Sequence, residues 1–301
     1  MLAHEVPPGH PEHRGRLQAV LDALDDEAFA SLIRVQATPI ELDAIERVHT
    51  RRHIDRVLAA RPPHEGMMVP LDPDTMISKG SVHAARMAAG ACVQAVDLVL
   101  AGDVERAFCA VRPPGHHAEP DRAMGFCLFN SIAIAAYHAR AVHGLRRVAI
   151  IDFDVHHGNG SQKLAEADAD LFYGSIHQER LYPHTGFAYE TGPAQNVCNA
   201  PVPAGTEGAL WRRTFAEHVL APLAQWQPEM LLISAGFDGH KDDPLAGLRL
   251  VEADYVWVSR ELCALADAQC AGRVVSALEG GYDLDATARS ASAHVRVLLG
   301  D

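Results

Sequence analysis

The feature that most constrains this 301-residue sequence is the alternation of short, continuous apolar runs with longer helical patterns. The runs are AFCAV (107–111), RVAIIDF (147–153), DLFYGSIH (170–177), MLLISAG (230–236) and RVVSAL (273–278). Helical patterns cover 80–101, 130–142, 207–226, 252–271 and about 285–299. A strand that is apolar at every position is buried on both faces, which implies a parallel sheet covered by helices on both sides. The predicted fold class is therefore α/β, one parallel sheet sandwiched between helices, with a single domain over residues 1–301. In such sheets the ligand site lies beyond the carboxyl ends of the strands.

Composition removes other classes. Hydrophobic residues make up 48% and charged residues 22%, the balance of a globular chain rather than a disordered or coiled-coil one. The formal charge of −13 is opposite in sign to that of a phosphate-tracking nucleic-acid binder, so no nucleic-acid partner is expected. The six cysteines form no CxxC pair and read as reduced, buried thiols. The opening MLAHEVPPGHPEH lacks a signal-peptide pattern, and no apolar run reads as a membrane span of ~20 residues. A cytoplasmic location away from membranes is expected. The 18 histidines are unusual, and their positions carry the argument.

Polar segments follow four of the runs. RPPGHHAEP, after the first, carries His116 and His117, two imidazoles suited to proton transfer near neutral pH or, more blandly, a solvated loop pair. DVHHGNG, after the second, places Asp152, Asp154 and His156 at period two, so an extended strand end would put a carboxylate and an imidazole on one face. FDGHKDDP, after the fourth, carries Asp238, a third metal ligand or a helix cap. EGGYD, after the last, pairs a tight Gly280-Gly281 turn with Tyr282, an oxyanion donor or a packing residue. Together, two Asp and one His leave a zinc-like ion with an open position, beside a proton-moving pair and a phenol. That set describes metal-assisted amide hydrolysis. Asp₂His accepts Zn²⁺ or Fe²⁺.

The sequence resembles the zinc-dependent histone deacetylases, closest to their class II branch and to bacterial deacetylase-like amidohydrolases. PPGHPEH, DPDT, RPPGHHA, MGFCLFNSIAIA, VAIIDFDVHHGNGSQ, LYPHTG, SAGFDGHKDDPLAG and EGGYD carry the resemblance, in family order. It implies an arginase–deacetylase fold and removal of acetyl groups from acetyl-lysine-like peptides or small molecules. Asp154, His156 and Asp238 fall on the metal ligands, His117 on the general base, His116 on its electrostatic partner and Tyr282 on the oxyanion donor. Asp152 is expected to orient His116, and Asn159 stands behind His117.

The resemblance also places Phe126 and Tyr182 on the walls of a substrate tunnel, with Gly125 and Gly280 among the substrate-binding positions and Asp74 at the rim. Leu245 stands where acetylpolyamine-selective relatives can carry Glu, which leans the reading away from polyamines. A structural K⁺ site is implied at Asp152, Asp154, His156, Ser175 and Ile176. Relatives usually begin with a short strand ahead of the HPE segment, for which Met1 leaves little room. The 80–112 stretch fits one helix and one strand, without a long insertion. His240 reads as an entrance residue and His157 as structural. A homo-oligomer is left open.

Overall fold

The computed structural model describes residues 1–300. In chain order the elements are α1 (Gly15–Leu24), α2 (Leu42–Ile45), α3 (Arg51–Ala59), β1 (Met68–Pro70), β2 (Met76–Ser78), α4 (Ser81–Ala101), β3 (Arg106–Cys109), α5 (Ser131–His143) and β4 (Val148–Asp152). They continue with α6 (Asn159–Ala167), β5 (Leu171–Gln178), β6 (Val197–Val202), α7 (Gly208–Phe215), α8 (Ala221–Trp226), β7 (Met230–Ala235), α9 (Glu252–Gln269), β8 (Val274–Leu278) and α10 (Leu284–Leu298). Six strands form one sheet in the order β3-β8-β7-β4-β5-β6, and every pairing is parallel. β1 and β2 make a separate antiparallel hairpin.

The apolar runs explain the layering. Every residue of β4, β7 and β8 is buried. Along β4, Val148 and Ile150 join one core with α4 and α5, while Ala149 and Ile151 join a second core with Trp211, Phe215 and Tyr255. Alternation across the strand thus feeds two cores, one on each face. Local chemistry sets the helix ends. Asn130 accepts from the Ala133 amide at the start of α5, and Asp283 from the Ala286 amide at the start of α10.

The structure corrects several expectations. β4 ends at Asp152, so Asp154 and His156 lie in a bend past the strand rather than on its extended end. β3 ends at Cys109, inside the AFCAV run, and α6 and β6 lie outside the predicted elements. The 207–226 helix carries a π turn over Ala216–Leu220. No strand precedes α1 among the described residues. α4 is, by length and composition, long and apolar enough to cross a membrane, contrary to expectation, but it is mostly buried and packs on α5 and β3. As expected, 80–112 holds one helix and one strand.

Candidate active site

Four loops leave the carboxyl ends of four strands that are neighbours in the sheet, β3, β8, β7 and β4. Asp154, His156 and Asp238 meet there, fully or nearly fully buried, with a ligand atom from each within 4.8 Å of the others. His156 Nδ1 lies 3.1 Å from Asp154 Oδ1 and 3.0 Å from Asp238 Oδ2. Backbone amides hold the carboxylates in place. Gly280 N–H donates to Asp154 Oδ2 (2.7 Å), and Val155 N–H to Asp238 Oδ1 (2.9 Å). A Cβ on Gly280 would stand 2.0 Å from Asp238 Oδ2, so the turn requires glycine to come this close.

This donor set fits a divalent cation. Asp152, Asp154, Asp238 and Glu279 are all buried around it, and a buried carboxylate needs a compensating charge. Burial, and after it the Asp154 charge, push the Asp238 carboxyl above its usual range. Two carboxylates and an imidazole leave positions open on a metal, as in catalytic rather than structural sites.

The adjacent histidines, with ring centroids 4.0 Å apart, are held in opposite states. His116 Nδ1–H donates to Asp152 Oδ2 (2.9 Å). Burial alone would lower its pKa, but Asp152, Asp154 and Glu279 outweigh burial and raise it to about 10. His117 Nδ1–H donates to Asn159 Oδ1 (2.9 Å), a neutral partner. Burial, then His116 and His156, push its pKa well below the usual imidazole value. The two imidazoles are therefore pushed in opposite directions, and the Asn159 contact engages His117 through Nδ1, leaving Nε2 on the other side of the ring.

Aromatic residues surround this donor set. The His156 ring lies 6.1 Å from His117, 6.4 Å from Tyr182 and 6.5 Å from Tyr282. Phe126 packs edge-on against Tyr282 (6.1 Å), and Tyr182 against His117 (5.2 Å). The Tyr182 hydroxyl is buried with no hydrogen-bond partner. Gly125, at φ +56°, passes so near that a Cβ would stand 2.3 Å from the His117 ring. Its amide donates to Asp74 Oδ1 (3.2 Å), bringing Asp74 to the rim. Leu245 and Tyr282 line one groove of about 880 Å³. Asp152 and Ser175 are cross-strand partners, followed by Ile176 on β5. His240 is the misplaced residue. It is buried beside Asp242 and Glu252. His157 bonds to Thr185 and Gln162, in keeping with a structural role.

Sequence reasoning missed the supports. Glu279 accepts from the Gly115 and His116 amides (2.6 and 3.2 Å) and from Ser234 (3.1 Å). Arg16 lies over the Tyr282 ring at 4.7 Å, bonds to the Glu279 and Gly281 carbonyls, and pairs with Glu12 (3.0 Å). Asp243 Oδ2 accepts from the Tyr282 and Asp283 amides (2.7 and 3.3 Å), and its Oδ1 from the Leu245 amide (2.9 Å). Burial and Asp238 push the Asp243 carboxyl up to about 7. The Glu in EGGYD was a legible signal. Asp243, inside FDGHKDDP, was another; Arg16 lies far from the site in sequence.

A scan of protein families matches the histone deacetylase domain over residues 10–298. The chain belongs to the histone deacetylase family. It is 38% identical over 311 residues to histone deacetylase 10, chloroplastic, of Oryza sativa subsp. japonica, spanning 97% of this chain and 70% of that one. It is 36% identical over 290 residues to a probable deacetylase of Archaeoglobus fulgidus, spanning 94% and 79%. Its fold superposes on the crystal structure of the HDA15 HD domain with a TM-score of 0.92 at 35% identity, covering 99% of this chain and 87% of that one. The arginase–deacetylase fold expected from the sequence is thus the fold observed. The chain is a histone-deacetylase-like hydrolase, and the family is generally zinc-dependent.

Proposed function

We propose that this histone deacetylase is a class II-like metal-dependent enzyme that removes acetyl groups from N-acetylated lysine side chains or related small acylamides. The observation that carries the reading is the pair of adjacent histidines with unlike partners, His116 on the Asp152 carboxylate and His117 on the Asn159 amide, both next to the Asp154–His156–Asp238 set. Those three residues would hold Zn²⁺ or Fe²⁺. A bound ion there supplies Lewis acidity, polarising a carbonyl and acidifying water. His117 Nε2 takes the proton from the attacking water and returns it to the leaving amine. His116, held by Asp152, supplies fixed positive charge. Tyr282 donates to the developing oxyanion. Phe126, Tyr182, Gly125 and Gly280 line the path of the alkyl chain, and Asp74 holds the substrate at the rim. Asp152, Asp154, His156, Ser175 and Ile176 would bind a structural K⁺.

Leu245 on the shared groove favours lysine-like substrates, because it offers no charge to a second amine. The test sets an acetyl-lysine peptide against N-acetylputrescine, with metal-loaded protein and a chelated control. Chelator-sensitive turnover favouring the peptide supports the reading. Faster turnover of the polyamine would overturn the substrate assignment, and no turnover of either would overturn the activity.

A further inference from the structure

The amide of Asn159 is read from both ends. Its Oδ1 accepts from His117 Nδ1–H at 2.9 Å. Its Nδ2 donates to Glu119 Oε1 at 2.9 Å and approaches Met124 Sδ at 3.3 Å. A carboxylate accepts and cannot donate, so Glu119 forces the NH₂ end of the amide toward itself and the oxygen toward His117. That orientation places the His117 proton on Nδ1 and leaves the Nε2 lone pair free. A flipped amide would present NH₂ to Nδ1, move the ring proton to Nε2, and leave nothing there to accept a proton.

We propose that Glu119 is a positioning residue that selects the tautomer of His117 through Asn159. The inference rests on the reading of His117 as the base. Glu119 is itself fixed from several sides. Lys163 Nζ, one turn along α6 from Asn159, donates to its Oε2 at 2.8 Å. Its backbone bridges to Arg122 in both directions, and its carbonyl accepts from His49 Nδ1 at 3.0 Å. The loop that carries the base thus carries, two residues later, the group that orients the base's partner. Met124 sulfur is a weak acceptor and cannot replace a carboxylate in this role.

In Glu119→Ala, kcat is expected to fall at least ~10-fold, within the ~10⁴-fold cost known for a wrong histidine tautomer, while KM moves by less than ~2-fold. Glu119→Gln, which can still turn a carbonyl oxygen toward Asn159, is expected to recover most of the rate. In an Asn159→Ala background, Glu119→Ala is expected to add nothing. Nitrogen-15 NMR of the imidazole in zinc-loaded protein reads the tautomer directly, with Nδ1–H expected in the parent and Nε2–H appearing in Glu119→Ala. That readout stands even where turnover is absent, so it separates failure of this inference from failure of the proposed activity. An unchanged tautomer in Glu119→Ala would overturn the proposal. So would an equal rate loss from Glu119→Ala with and without Asn159.

Discussion

Two clusters among the described residues combine Asp and His at metal-ligand spacing, and their side chains are held in different ways. At the strand ends, Asp154, His156 and Asp238 converge in full burial. Between α4 and α5, Asp97, His138 and His143 also bring ligand atoms within 4.8 Å of one another. There Asp97 Oδ1 accepts from both imidazoles, at 2.6 Å from His138 Nε2 and 2.7 Å from His143 Nε2. Arg47 Nη1 stands 3.2 Å from His138 Nδ1. A guanidinium only donates, so His138 keeps its proton on Nε2, pointed at Asp97, where a metal would need the lone pair. The outer cluster is complete as a hydrogen-bonded clamp between two helices. The inner carboxylates are oriented by backbone amides and buried with Asp152 and Glu279 near them, an arrangement that suits a divalent cation. Convergent ligand atoms alone do not make a metal site; the lone pairs must also be free to face the ion.

The largest expected effect is at the inner cluster. Asp238→Asn should reduce deacetylation to the uncatalysed background and take metal content from about one ion per chain to none, read by elemental analysis. A second stoichiometric ion in the parent protein, lost on His143→Ala, would break the comparison. His117→Ala should then cost ~10²–10⁴ in kcat with metal content unchanged. Tyr282→Phe should cost ~10²–10³, again with the fold intact by circular dichroism. Wild-type turnover in either variant would remove the role assigned to that residue.

The smallest effect belongs to the clamp. Asp97→Asn should leave kcat unchanged and lower stability in denaturant titrations by no more than ~1 kcal/mol, since the carboxylate is half exposed. Burial opposes ionisation of Asp97, but the hydrogen bonds from His143 and His138 outweigh it and hold the carboxyl below its usual range. A lowered folded-state pKa contributes stability above the unfolded value, lost as pH falls through the folded one. The gap between parent and Asp97→Asn should therefore be present at neutral pH and close under acid.

The sheet was legible because continuous apolar runs have few other solutions, and the site because its motifs sit where those runs end. β6 escaped notice because Asn199 and Pro201 interrupt VCNAPV, whose partner β5 supplies the pairing. α6 escaped because it opens on Asn159-Gly160, a turn signal that tertiary packing overrides. His240 looked like a rim residue because it follows Asp238 by two, yet the chain turns it into a pocket with Glu252 on α9. Arg16 reaches Tyr282 across more than 260 residues of sequence, and no local pattern encodes such a contact.

The carboxylate of Asp243 joins two parts of the site that would otherwise be adjustable separately. One oxygen holds the loop of Leu245, and the other holds the main chain of Tyr282. The residue proposed to tune what enters and the residue proposed to stabilise the reaction therefore hang from a single anchor. Changes in substrate range, by evolution or by engineering, should carry a change in rate with them.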